Sequence, residues 1–264
     1  MPGNTINCLF IGDIVGRPGR LFVRDNLLML VKKYNADIII ANGENSAGGF
    51  GITPQVAEEL LNYHIDIITS GNHIWDKKEI IDYIKDRNWL LRPANYPPAV
   101  PGVGSTIFRT KSGINVGVIN LCGRVFMDNL DCPFRVGRDM AAVMKEKTKV
   151  IIVDMHAEAT SEKIAIAFYL DGMVSAVVGT HTHVQTSDER ILSNGTAFIT
   201  DAGMTGSINS AIGIQKDMII QKFLTQMPRK YEVATKDVEL QGVVVSIDAE
   251  TGKAKGIERI KVKG

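Results

Sequence analysis

The chain has few cysteines, few aromatic residues and no long apolar run, and its charges nearly cancel. No stretch approaches the ~20 apolar residues a bilayer-spanning helix needs, which argues against a membrane protein. Met1–Asn7 carries neither the basic head nor the apolar core of a secretory signal, so a cytoplasmic protein is expected. Cys8, Cys122 and Cys132 are far apart, form no Cys-x-x-Cys and lie in or beside apolar stretches. They are expected to be buried, reduced thiols without a function. With 30 Lys+Arg against 29 Asp+Glu the net charge is +1, which excludes whole-molecule attraction to nucleic acid or anionic membrane. No basic stripe with interleaved aromatics appears, so no extended nucleic-acid surface is expected. No Pro-, Gly- or Ser-rich linker and no repeat divides the 264 residues, which read as a single domain over 1–264.

What the chain does have is a series of short apolar, β-branched runs. They are Ile6–Ile11, Asp37–Ala41, Ile65–Ser70, Asn115–Leu121, Val150–Asp154, Val174–Gly179 and Ala197–Thr200. Continuous runs of this length read as strands buried on both faces. Helical spacing separates several of them, at Arg20–Tyr34, Gln55–Tyr63, Asp76–Arg87 and Ser161–Leu170. Thr53-Pro54 supplies an N-cap and a first-turn proline for the second of these. Towards the C-terminus Tyr231–Thr235, Val238–Ile247 and Gly256–Val262 read as strands joined by polar turns. An α/β chain is expected, its later part more antiparallel.

The polar residues follow the strands. Asp13 comes after the first run, Glu44-Asn45 after the second and Asn72-His73 after the third. His156 follows Val150–Asp154, and His181-Thr182-His183 follows Val174–Gly179. In open α/β sheets the ligand crevice lies beyond the carboxyl ends of the strands, so these clusters are placed to converge. Four of the five histidines fall in them; His64 reads instead as a C-terminal helix residue. Taken singly each cluster reads as a polar loop, but jointly they read as a metal centre. Two carboxylates, two amides and three imidazoles exceed what one tetrahedral ion uses, so two ions are expected. Mixed nitrogen and oxygen donors without thiolate suit Fe, Mn or Zn.

At these residues the sequence resembles the calcineurin-like metallophosphoesterases, whose blocks appear as Gly12-Asp13, Gly71-Asn72-His73 and Gly179-Thr180-His181-Thr182-His183. More closely it resembles the YmdB-like family of bacterial cytoplasmic phosphoesterases. That likeness rests on Phe10–Gly16, Asn42-Gly43-Glu44-Asn45, Gly71–Glu79, Leu91–Asn95, His156–Lys163, Gly179–Gln185 and Asp201–Gly206. Val15 stands where the wider superfamily carries a histidine, and Glu44 where it carries an aspartate; both agree with the YmdB-like pattern. The resemblance implies a metallophosphoesterase-type β-sandwich flanked by helices, a four-layer αββα arrangement. It implies Asp13, Asn45 and His183 on one metal, Asn72, His156 and His181 on the other, and Glu44 bridging. It also implies His73 as proton donor to the leaving oxygen.

Other residues carry two readings each. Arg17-Pro18-Gly19-Arg20 offers a guanidinium to phosphate or simply begins a helix, and Gly48-Gly49-Phe50-Gly51 forms a flexible loop or a mobile rim. Asp76 and Glu158 read first as helix caps and second as acceptors for ligand histidines. Trp75 reads as core, and Lys32-Lys33 and Lys145–Lys149 as solvated helix ends. The expected function is a di-metal phosphodiesterase in which metal-activated hydroxide attacks phosphorus. The resemblance implies cyclic nucleotides, including 2′,3′-cyclic AMP, as substrates. Fe or Mn is the expected metal, with Zn or Mg as alternatives, and a homo-oligomer is the expected assembly. The competing readings are a phosphomonoesterase or nucleotidase, and a regulatory RNA- or protein-binding protein with a mainly structural metal centre.

Overall fold

The computed structural model describes residues 5–264. The apolar runs form strands, and period-two alternation decides which layer each side chain enters. In β1 (Thr5–Ile11), Ile6, Cys8 and Phe10 point to one face, and Leu9 and Ile11 to the other. After β2 (Asp13–Ile14) and helix α1 (Gly16–Tyr34) come β3 (Ile38–Asn42), α2 (Pro54–Asn62), β4 (Ile67–Thr69) and α3 (Ile80–Tyr83). The chain continues through β5 (Ser105–Arg109), β6 (Asn115–Cys122), α4 (Pro133–Lys145), β7 (Val150–His156), α5 (Thr160–Tyr169) and β8 (Ala176–Thr180). It ends with β9 (Arg190–Ile191), β10 (Ala197–Ile199), β11 (Met204–Ser207), α6 (Lys216–Thr225), β12 (Val238–Asp248) and β13 (Ala254–Lys263).

One sheet runs β2-β11-β12-β1-β3-β4, with β13 also on β12; the other runs β5-β6-β7-β8-β10-β9. β1, β3 and β4 are parallel, as are β6, β7, β8 and β10. The sheets face each other across Ile6, Phe10, Ile40, Val118, Ile152 and Val178. The outer face of the first sheet packs on α1, α2 and α3 through Leu9, Ile39, Val23, Leu27, Leu60 and Ile80. That of the second packs on α4 and α5 through Leu121, Val153, Ala141 and Ile166. The result is the expected αββα order. No helix among the described residues is long and apolar enough to cross a membrane.

Thr53 caps α2, its Oγ1 accepting the Val56 N–H at 3.2 Å, and Pro54 opens the helix. Three expectations need correction. The Asp76–Arg87 segment is helical only over Ile80–Tyr83, followed by a 3-10 turn at Ile84–Asp86, because Asp76 bonds His73 instead of capping. Tyr231–Thr235 is not a strand: Val233 makes one bridge, to Ile214, and its side chain fills the space left by Gly16 and Gly49. Cys8 and Cys122 are buried thiols as expected, whereas Cys132 is half-buried ahead of α4.

Candidate metal centre

The parallel strands of both sheets end at one pole, and the polar clusters meet there. Asp13 on β2, Glu44 after β3 and His156 at the end of β7 are completely buried. Asp13 Oδ2 accepts the His181 N–H at 3.1 Å, tying the turn after β8 to that after β1. Around His156 Nε2 lie Glu44 Oε2 at 2.9 Å, His181 Nδ1 at 3.0 Å and Asn72 Oδ1 at 3.2 Å. Around His183 Nε2 lie the Asn45 Nδ2 at 3.1 Å and Asp13 Oδ1 at 3.7 Å. Asp13, Glu44, Asn45, Asn72, His156, His181 and His183 are thus brought into two adjoining groups, with Glu44 in contact with the first.

The imidazole tautomers follow from their outer partners. His183 Nδ1 donates to the Ile212 carbonyl at 2.8 Å, which leaves the Nε2 lone pair facing Asn45 and Asp13. His181 Nε2 lies 3.1 Å from Glu158 Oε2, so its Nδ1 lone pair faces inward. His156 Nδ1 bonds Thr180 Oγ1 at 2.9 Å, leaving Nε2 inward. His181 and His183 sit at φ 98° and 64°, a region L-residues avoid, where short turns hold them.

The electrostatics are those of a site built for cations. Asp13 Oδ1 and both Glu44 oxygens are buried with no hydrogen-bond partner among the described residues, the close approach to His156 lacking hydrogen-bond alignment. Burial pushes the Glu44 carboxyl up to about 7, and His73 and His183 only partly oppose it. Burial, and then the neighbouring Asp201 and Glu44 charges, raise Asp13 well above the carboxylate range. Burial lowers His156 and His183, and takes His181 down to about 2, with the neighbouring His156 adding to it. Orphaned carboxylate oxygens facing neutral imidazole lone pairs fit divalent ions. Glu44, His156 and His181 alone bring three ligand atoms within 4.8 Å of one another.

His73 stands at the edge, its ring partly exposed. Its Nδ1 bonds Asp76 Oδ2 at 2.9 Å, and Nε2 has no hydrogen-bond partner among the described residues. Phe50 meets the ring edge-on, with centroids 5.2 Å apart. Both line a cavity of about 320 Å³ floored by Glu44, Asn45, His181 and His183 and walled by Ile212 and Ile214.

Several minor readings change. Asp76 and Glu158 hold His73 and His181 and do not cap helices. Arg20 donates to the Ser46 carbonyl at 2.6 Å and pairs with Glu59, so it braces the turn after Glu44. Gly48, Gly49 and Gly51 all have positive φ, and Gly49 is buried against Val233. Trp75 packs on the helix-side core, edge-on to Tyr96. Residues that pattern reading passed over are Asn42, Thr69, Asp154, Thr180, Lys163 and Asp201, all completely buried and polar. For Asp154 the available signal was an acid inside an otherwise apolar strand.

The family model described as "YmdB-like protein" matches residues 9–260. A 2′,3′-cyclic-nucleotide 2′-phosphodiesterase of Bacillus subtilis is 49% identical over 254 residues, 96% of each chain. A crystal structure of a Thermus thermophilus hypothetical protein superposes with TM-score 0.91 at 38% identity, covering 98% of this chain and 99% of that one. A Mycoplasma pneumoniae structure, described as a novel phosphatase, gives TM-score 0.92 at 34% identity, covering 99% and 94%. The chain belongs to the YmdB-like family.

Proposed function

We propose that this chain is a metal-dependent phosphodiesterase acting on 2′,3′-cyclic nucleotides, as one domain over 1–264 and in the cytoplasm. The observation that carries the reading is the set of orphaned, buried oxygens on Asp13 and Glu44 beside an open cavity edged by His73. The activity printed for the Bacillus subtilis relative supports the substrate class. Asp13, Asn45 and His183 would hold one ion and Asn72, His156 and His181 the other, with Glu44 shared. Fe or Mn fits these donors best, with Zn or Mg as alternatives. Such ions supply Lewis-acid charge to a phosphoryl oxygen and lower the pKa of bound water.

The remaining work falls to side chains. A water that has released one proton to solvent adds its oxygen to phosphorus and one P–O ester bond breaks. The departing sugar oxygen takes its proton from Nε2 of protonated His73, held in line by the Nδ1 bond to Asp76. Phe50, Ile212 and Ile214 give the cavity an apolar wall.

The test is hydrolysis of 2′,3′-cyclic AMP, 3′,5′-cyclic AMP, a chromogenic diester and a phosphomonoester by metal-loaded protein. Wild type should favour the 2′,3′-cyclic diester, and Glu44→Gln should be inactive. His73→Ala should keep its metal and lose about 10²–10⁴ in kcat. Normal diester turnover by Glu44→Gln would end this reading, and monoester preference would replace it with a nucleotidase.

A further inference from the structure

Asp154 lies on β7 two residues before His156, completely buried and outside the cavity. Its Oδ1 accepts from Thr180 Oγ1 at 2.7 Å. Its Oδ2 accepts from Asn42 Nδ2 at 3.0 Å and from the Thr69 hydroxyl. A threonine hydroxyl has one hydrogen, and that of Thr180 goes to Asp154. Thr180 Oγ1 therefore meets His156 Nδ1 as an acceptor, at 2.9 Å against 3.5 Å for the Asn42 Nδ2, and this shorter contact places the imidazole hydrogen on Nδ1. The Nε2 lone pair is left facing Glu44, Asn72 and His181. Asn42 relays in a second direction, since its Oδ1 accepts the Glu44 N–H at 3.1 Å.

We propose that Asp154 is a positioning residue that sets the His156 tautomer through Thr180 and seats the Glu44 turn through Asn42. The inference rests on the metal-centre reading above and adds the group that orients two of its residues. Asp154 touches neither cavity nor substrate, so its action is on cation affinity. Its bonds to Asn42 and Thr69 on one sheet and Thr180 on the other also make it a tie between sheets. Thr180 and Thr69 separate the two roles, because only Thr180 touches His156.

Mn²⁺ binding is measured by titration calorimetry on the full-length, metal-stripped chain. Thr180→Val should bind roughly 10–100-fold more weakly, the usual effect of losing a ligand's outer partner. Thr180→Ser should restore wild-type affinity, and Thr69→Val should leave it unchanged. On a His156→Ala background Thr180→Val should add nothing, since its effect runs through that ring. Asp154→Asn should reproduce the Thr180→Val loss; if it does not fold, the threonine variants decide alone. Wild-type affinity in Thr180→Val, or an equal loss in Thr69→Val, would overturn the inference. A wild type that binds Mn²⁺ but cleaves no diester would overturn the hydrolase reading and leave this inference standing, because calorimetry reads cation binding alone.

Discussion

At Glu44 burial works directly against charge. Removal from water lifts its carboxyl to about 7, so near neutrality a large share of the metal-free protein carries a proton there. A cation must displace that proton, whereas His181, lowered to about 2, is already neutral and releases none. Mn²⁺ affinity should therefore rise with pH through about 7, with more protons released at about pH 6 than at about pH 8. Calorimetry in buffers of different protonation enthalpy counts those protons, and affinity flat across this range would contradict the raised carboxyl. Gly71 belongs to the same crowded spot. A Cβ there would lie 1.8 Å from Glu44 Oε2 and 2.2 Å from His156 Nε2, both on completely buried side chains. Gly71→Ala should fold yet lose cation binding by more than tenfold, since it displaces both side chains; wild-type affinity would mean the turn can yield.

At the scale of elements, α5 does more than cover the second sheet. Lys163, completely buried, donates to the Thr180 carbonyl and to Asp201 Oδ2, each at 2.7 Å. Asp201 in turn accepts the Thr182 N–H and hydroxyl, so this pair pins the His181–His183 turn to a helix. Lys163→Met strands a buried carboxylate and should cost about 3–5 kcal/mol in urea unfolding. Lys163→Met/Asp201→Asn should recover part of it, and a single-variant loss below about 1 kcal/mol would contradict the pinning. How legible the elements were follows from the same physics. The seven β-branched runs became β1, β3, β4, β6, β7, β8 and β10 because strands buried on both faces show as continuous apolar stretches. β2, β9 and β11 are two to four residues long, too short to show a pattern, and β2 and β11 exist only through partners distant in sequence. Tyr231–Thr235 had strand composition but its Val233 was claimed by Gly16 and Gly49. The positions of the polar clusters could be read from strand ends, whereas Asp154, Asn42 and Thr180 sat inside strands, where a pattern of apolar runs hides them.

The whole molecule separates its stability from its chemistry. Its accessible surface is 11843 Å², against about 42,000 Å² for an unfolded chain of this mass, and the three apolar layers account for the burial independently of any ion. The metal-free protein should keep its far-ultraviolet circular dichroism, and amides of β1, β3, β7 and β8 should stay protected from hydrogen exchange. The turns over 43–51, 71–79 and 180–186 should exchange faster, because without a cation the buried Asp13 and Glu44 oxygens there have no partner. The size of the effect depends on pH in a definable way. Glu44, raised from 4.5 to about 7, contributes stability that is present below 4.5 and lost as pH rises through 7. His181, lowered from 6.5 to about 2, contributes stability that is present above 6.5 and lost as pH falls towards 2. Above neutrality the strain is thus on the carboxylate side, where a bound cation offsets it, and cations also bind most tightly there. The difference in Tm between metal-loaded and metal-free protein should widen as pH rises from about 5 to about 8. Scanning calorimetry across that range tests this, and a metal-free protein that is globally unfolded at pH 7 would show that the ions, not the apolar layers, hold the sandwich together.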